Sequence, residues 1–561
     1  MKAKRVLALL LALALCASLF AACGDGGSSS SAGGTSSASS EAGGESSEAG
    51  TESGEDASDP EGGDAAGGGY SFPLAEPVTL TAWRTAATTD PKLGIVTYND
   101  IESVMEWEKR TNVHIDWQIP TSGQETENFN LMITSGDYPD LIFDANARYV
   151  GGLGKAIQDG VVRPLDDMIE TLGKDYLALI SQDEMVLKDC KTDDGQFGAV
   201  FAINCPDQGP WYGMAMRQDW LTELKLDTPV TYDDWHNVLT AFKEKKGAKA
   251  PLWLTYTAGD WFGVFSAGYG VGNLGGNTFF RVDNQVKYSP AEEGYKKYLT
   301  TLHQWYSEGL LDADYYTRTT STTVPETLAN TGDSGAWPDI YTLLSIHTTA
   351  SEDPNIDVVA VPAPVEKEGD QLHLRQYNWT RGTDCCAIST SCENPELAMA
   401  WLNLGSQQDF AYLAYYGIEG ETHTIEDGKP VFTDKVLNNP EGLVPNDAMI
   451  KYCWRSPGMY IWDRELQTAD EKSLEAINDI WVSNADGDYM MPNVTLTAEE
   501  GTRYATLLGD IKTYAEEMTT KFILGDEPLE NFDSYVESMK GMGLEEMISL
   551  QQAALDRFNA R

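Results

Sequence analysis

Basic side chains are scarce in this sequence. Lys and Arg number 39 against 87 Asp and Glu, a formal charge of −48 over 561 residues. A chain this acidic repels phosphate backbones, and no basic stripe with interleaved aromatics offsets the repulsion. Nucleic-acid binding is excluded, as is electrostatic adhesion to an anionic membrane. Cysteine is sparse too. Eight occur, at positions 16, 23, 190, 205, 385, 386, 392 and 453, none in a C-x-x-C pair. The six His (114, 236, 303, 347, 373 and 423) are scattered, so no zinc spacing exists and no metal or other cofactor is expected. The six cysteines from Cys190 onward allow fifteen pairings, which the sequence leaves open. Catalytic signatures are missing as well. Gly332-Asp333-Ser334-Gly335 imitates a serine-protease nucleophile loop, but it breaks at Ala336 and no His stands in a matching upstream context. No Gly-rich phosphate loop follows a strand. The 77 acids from Ser71 onward form pairs everywhere, so counting does not single out a glycosidase pair. The expectation is a protein without catalysis.

What is present begins with an export signal over residues 1–23. Lys2, Lys4 and Arg5 precede an apolar run from Val6 to Ala17, too short to span a membrane. Leu19-Phe20-Ala21-Ala22-Cys23-Gly24 then resembles a bacterial lipobox, in which the Cys takes a diacylglyceryl group; ordinary Ala-x-Ala cleavage is the competing reading. Residues 24–70 hold 14 Gly, 12 Ser, 7 Ala and 10 Asp or Glu, with no Lys or Arg. That composition cannot bury a core and reads as a disordered tether, about 35–40 Å in r.m.s. span for a coil of this length. The expected location is the outer face of a cytoplasmic membrane, with lipid held through Cys23.

The remaining stretch, 71–561, carries 36 basic and 77 acidic side chains, a charge of −41, and is long enough for two large lobes. Val78–Trp83 alternates as a strand should. Asn99 or Asp100 caps a helix with Ile101, Val104 and Met105 on one face. Val113, Ile115 and Trp117 alternate again, a helix carries Phe129, Met132 and Ile133 to Gly136, and Leu141-Ile-Phe143 follows. This β-α-β-α-β order predicts a parallel sheet between helices, with ligands beyond the carboxyl ends of its strands. Trp83, Arg84 and Asp144 then stand at a binding crevice. The alternation restarts after Trp211, where Thr231 caps a helix with Trp235, Val238, Leu239 and Phe242 in a stripe. Val358–Val361 with Pro362 and Pro364 closes this second unit. The predicted division is lobe 1 from 71–210 and 374–450, and lobe 2 from 211–373 and 451–561.

Several segments together resemble the extracellular solute-binding proteins (family 1) of ABC importers, in their large Gram-positive lipoprotein branch. These are Glu108–Val113, Ser135–Asp140, Arg217–Leu221 with Thr228–Trp235, Tyr306–Asp312, Asn394–Ala398, Tyr416–Gly420 with Asp427–Pro430, and Lys521–Gly525. They run in order across nearly the whole folded stretch. The resemblance implies an α/β, two-lobe periplasmic-binding-protein-like (type II) fold with a hinge and a central ligand cleft. It implies a monomer without catalytic residues that delivers its ligand to ABC permease subunits, and a structural or ligand-contacting Glu419. Some members carry an acidic calcium loop after the helix that ends here near Phe242. This chain has Lys243-Glu-Lys-Lys-Gly-Ala-Lys249 there, which repels a cation.

A sugar presents apolar C–H faces and a rim of hydroxyls, so its binder needs flat aromatic platforms beside Asp, Asn, Glu and Arg. Trp83-Arg84, Asp144, Trp261 before a Gly-rich stretch, Trp337 with Asp339, Trp379 and Trp454-Arg455 fit that need in turn-rich sequence. The segment Gly335-Ala-Trp337 resembles the one that supplies a stacking Trp in maltose-binding relatives, which puts Trp337 on a loop facing the cleft. Trp107, Trp235, Trp305 and Trp401 fall on helical patterns and read as core. The expected ligand is a carbohydrate, an oligosaccharide. A peptide or an anionic uronate-type saccharide, clamped by Arg84, Arg381 and Arg455, is the alternative, and a surface polysaccharide hydrolase or lyase the third reading.

Overall fold

The computed structural model describes residues 69–85, 93–204, 208–254, 263–272, 278–317, 332–351, 353–374, 380–382, 384–481 and 489–561. Its contacts divide the chain after Gly62, and every described residue lies in the unit Gly63–Arg561. Cys23, Cys205, Trp261, Trp379 and nearly all of the tether lie outside the described residues.

Two sheets organise this unit. Their strands are β1 (Val78–Trp83), β2 (Val113–Gln118), β3 (Leu141–Phe143), β4 (Val200–Ile203), β5 (Tyr212–Arg217), β6 (Ala250–Leu252), β7 (Ser334–Ile340), β8 (Val358–Val361), β9 (Cys385–Ile388) and β10 (Gly458–Met459). The first sheet has the order β10-β4-β9-β3-β1-β2 and the second β8-β5-β7-β6. Strand β1 runs parallel to both β2 and β3, with Val78 opposite Val113 and Ala82 opposite Leu141, as the β-α-β-α-β reading expects. β9 enters antiparallel between β3 and β4, and β10 lies parallel to β4. The carboxyl ends of β1, β2, β3, β4 and β10 therefore share one edge with the amino end of β9.

Local chemistry fixes the helices. Thr231 and Asp234 close a capping box at the start of Tyr232–Ala241, whose Trp235, Val238 and Leu239 are buried. The helix Glu125–Ser135 stops at Gly136, which takes the left-handed conformation a Cβ disfavours. The expected cap at Asn99 or Asp100 differs: these residues form a 3-10 turn, and the α-helix starts one turn later, at Glu102. Trp107, Trp235, Trp305 and Trp401 are all buried, as their helical spacing implies.

Buried side chains gather around each sheet. One cluster joins residues between Leu80 and Ile203 to residues between Cys385 and Trp454. Others join Met214–Val361 to Met491–Leu555, and Trp253, Trp337 and Tyr341 to Trp462 and Trp481. Trp454 and β10, which the sequence division assigned to the second lobe, thus pack with the first sheet. Cys190, Cys385, Cys386, Cys392 and Cys453 are buried free thiols. Burial pushes Cys190, Cys385, Cys392 and Cys453 up to about 12.

The last helix, Leu544–Ala560, buries Leu544, Met547 and Leu555 in the second core yet ends on the first. Arg557 Nε donates to Asp193 Oδ2 (2.7 Å), and Arg561 also pairs with Asp193. Arg561 Nη1 caps the carbonyls of Lys188 (3.1 Å) and Lys191 (2.9 Å), and Thr495 Oγ1 donates to Asp193 Oδ1 (2.7 Å). The Asp193 side chain is only 7% exposed. Asp193→Ala removes the carboxylate that Arg557 and Arg561 share; Arg557 keeps its pair with Glu500 (2.6 Å) and Arg561 keeps its two carbonyls, so the loss should be about 1–3 kcal/mol. Urea unfolding should show that loss, whereas Lys540→Ala, which breaks an exposed surface pair with Glu537, should leave the midpoint where it was.

Candidate functional site

The shared edge of the first sheet collects polar groups at strand ends. Arg84 follows β1, Asp144 follows β3, Asn204 follows β4, Tyr460 follows β10 and Asp384 precedes β9. The backbone binds these ends to one another. Arg84 N–H donates to Gln118 (3.3 Å), Asp144 N–H to Cys385 (2.9 Å), and Tyr460 N–H to Ile203 (3.2 Å). Asp144 adopts φ 57°, a left-handed conformation that Asp tolerates better than most residues. Its Oδ2 accepts from Thr85 Oγ1 at 3.3 Å.

Arg84 is the hub. Its guanidinium is packed against the rings of Tyr98 (4.8 Å), Phe143 (4.7 Å) and Trp454 (5.4 Å), and Nη2 donates to the Arg455 carbonyl (2.9 Å). Burial works against that charge, but Tyr98, Asp384 and Asp144 outweigh it and hold the guanidinium above its ordinary range. For Asp144 the balance falls the other way. Burial raises its carboxyl above the usual carboxylate value, Asp384 adds to the rise, and Arg84 and Arg148 only partly compensate.

Arg455 carries the connection onward. Its own guanidinium donates to Glu465 (2.7 Å) and lies 5.8 Å from the Trp211 ring centre. Trp211 precedes β5 and meets Tyr341, which follows β7, at 5.3 Å, and Trp462 at 5.4 Å. The carboxyl edges of the two sheets are thus linked by Arg84, Arg455 and Trp211. Half-buried Trp211 and Tyr460 offer ring surface beside the charged groups. A site of this composition holds a polar ligand with apolar faces by stacking and hydrogen bonds.

The residues singled out from sequence separate here. Trp83, Arg84, Asp144, Trp454 and Arg455 meet at the first edge. Trp83 is buried edge-on against Phe129 (5.1 Å) with Arg148 over its ring, and Trp454 is packed among Trp107, Trp117 and Trp401. Trp337 and Asp339 stand elsewhere, and the loop expected at Trp337 is corrected: it is a residue of strand β7, paired with Ala215 and wholly buried. Partner strand β6 ends at Leu252, opposite Ala336. Beyond it, among the described residues, β7 has a paired strand on one side only, where Pro338 is tolerated. Trp337 Nε1 (2.9 Å) and His347 Nε2 (2.8 Å) both bond Asp339 Oδ2 within this core. Arg381, offered as a clamp, is occupied by Asp189 and the Phe201 ring. Glu419 borders a separate cavity of about 390 Å³ with Arg110, Asp409, Tyr412 and His423. Trp211, Asp384, Tyr460 and Trp462 were missed; the aromatic pair Tyr460-Ile-Trp462, five residues past Arg455, was the available signal.

Residues 64–407 match the family described as bacterial extracellular solute-binding protein. The chain is 23% identical over 525 residues to the fructooligosaccharide ABC transporter substrate-binding protein FusA of Streptococcus pneumoniae serotype 4, covering 88% of this chain and 93% of that one. It is 23% identical over 469 residues to the polygalacturonan/rhamnogalacturonan-binding protein YtcQ of Bacillus subtilis, covering 81% and 87%. Among solved structures, alginate-binding protein AlgQ2 without calcium ion superposes with a TM-score of 0.70 at 24% identity, over 86% of this chain and 99% of that one.

Full burial decides what Trp337 does for the protein. Trp337→Ala should cost about 3–5 kcal/mol of unliganded stability, seen as a lowered melting temperature without any ligand present. Trp337→Phe, which keeps apolar bulk but loses the donor to Asp339, should cost less. An alanine variant that melts like the parent would refute this core role.

Proposed function

The chain belongs to the bacterial extracellular solute-binding proteins, with their two-lobe (type II) α/β fold, hinge and central cleft, and from that premise we propose that it captures a saccharide for an ABC importer. The observation that carries the reading is the junction of the two sheet edges, where Trp211 and Tyr460 present ring surface beside Asp144, Asn204, Asp384 and Arg455. The relatives named for fructooligosaccharide and polygalacturonan support it. In this proposal one lobe comprises the first sheet and its core, residues 71–204 with 380–460, and the other 212–374 with 461–561. They close on an oligosaccharide laid across the edges, and the closed body docks as a monomer on the permease subunits. Binding and release suffice for that role, and no chemical step on the ligand is required.

A panel of oligosaccharides and peptides tests this by thermal shift. A ligand at one hundred times its dissociation constant stabilises the folded state by about 2.7 kcal/mol. At least one saccharide should raise the melting temperature; a response to peptides alone would overturn the reading. The anchor is proposed separately. Cys23 carries the lipid and holds the body outside the membrane, since a 47-residue Gly- and Ser-rich segment directly follows it. Among the described residues no helix is long and apolar enough to cross a membrane. Cys23→Ser should move the protein from the membrane fraction to the medium; retention in the membrane would refute lipidation at this residue.

A further inference from the structure

Charge at the joined edges narrows the ligand, given the saccharide reading above. Neither guanidinium that faces this region is available to a ligand carboxylate. Arg84 is buried between three rings with Nη2 given to the Arg455 carbonyl. Arg455 is held by Glu465, which Arg464 also engages at 3.1 Å. A third, Arg148, lies over the Trp83 ring at 5.4 Å. The carboxylates are less committed. Asp384 is exposed, with no hydrogen bond or ion pair to its side chain among the described residues, and Asp144 has one long contact from Thr85. The backbone bond from Asp144 N–H to the Cys385 carbonyl keeps these two acids on neighbouring strand ends.

We propose that this site selects uncharged saccharides and rejects uronates, with Asp144 and Asp384 as the residues that set the preference. Sugar hydroxyls donate to carboxylates, and charge-assisted bonds of that kind are the stronger ones. A ligand carboxylate brought to the same place meets like charge in a partly dehydrated setting. Arg84 is buried beneath its rings and Arg455 is held by Glu465, so neither answers it, and Arg148 would first have to leave the Trp83 ring. Discrimination then works by repulsion as much as by attraction. The charge of −41 on residues 71–561 adds a long-range field of the same sign, which slows the approach of anions at low salt.

Titration calorimetry on the full folded chain tests the proposal. The neutral probes are fructo-, manno-, xylo- and galacto-oligosaccharides of two to five units; the charged probes are oligogalacturonates and oligoalginates of equal length. At least one neutral probe should bind, and every uronate should bind at least tenfold more weakly than the best of them. Asp384→Asn, an exposed change that leaves the fold intact, should narrow that ratio several-fold, and Asp144→Asn with Asp384→Asn should narrow it further. A uronate bound within tenfold of the best neutral probe overturns the charge preference and leaves the saccharide reading standing. An unchanged ratio in Asp384→Asn overturns the role given to that residue. Binding of neither class overturns the saccharide reading and this inference together.

Discussion

A single guanidinium organises the edge of the first sheet, and its neighbour Arg455 carries the contact on to the second. Arg84 has lost water to Tyr98, Phe143 and Trp454, and its charge is supported by ring faces, a carbonyl and two carboxylates nearby. Cation–π contacts in a desolvated place are each worth about 2 kcal/mol or more, so three of them make this position rigid. Arg455 inherits that rigidity, because its carbonyl is what Arg84 grips while its own side chain reaches Trp211. The edge of one sheet thus meets the edge of the other through hydrogen bonds and packed rings, and the Glu465–Arg455 pair adds an ionic contact beside them.

A second link lies at the far end of the chain. The last helix belongs to one core by its apolar stripe and to the other by Arg557 and Arg561. Asp193 sits in the turn after Thr192, where Gly195 takes a positive φ, Thr192 N–H donates to the Gln196 carbonyl and Gln196 N–H donates to Thr192 Oγ1. A small hairpin thus becomes the receptor for two arginines more than 360 residues away. The residues around the two sheets are thus joined twice, at the ring-packed edge and at this ionic contact.

Much of this was legible from spacing. The order β1, β2, β3 followed from alternation at Val78–Trp83 and Val113–Trp117, and the capping pair Thr231 and Asp234 is a local signal that needs no tertiary context. Arg84 and Asp144 were legible because residues at the carboxyl ends of parallel strands are placed by topology. Trp337 was not. Gly335 and Pro338 argued for a loop, and only the early end of β6 explains why a strand survives there. Trp211 was missed because its importance rests on Tyr341 and Trp462, 130 and 251 residues further along the chain, and no local pattern reports such partners. Trp454 shows the opposite failure, since its turn-rich surroundings read as exposed while three other tryptophans enclose it.

The buried thiols carry a consequence for where this protein can work. Thiol–disulfide exchange proceeds through the thiolate, and a group pushed up to about 12 is ionised in only about one molecule in 10⁵ at pH 7. Cys190, Cys385, Cys392 and Cys453 are in that condition and sealed from solvent as well. Oxygen, peroxide and low-molecular-weight disulfides outside a cell find almost nothing there to oxidise. Among the described residues the body is held together by packing and hydrogen bonds, with no disulfide to form or to lose.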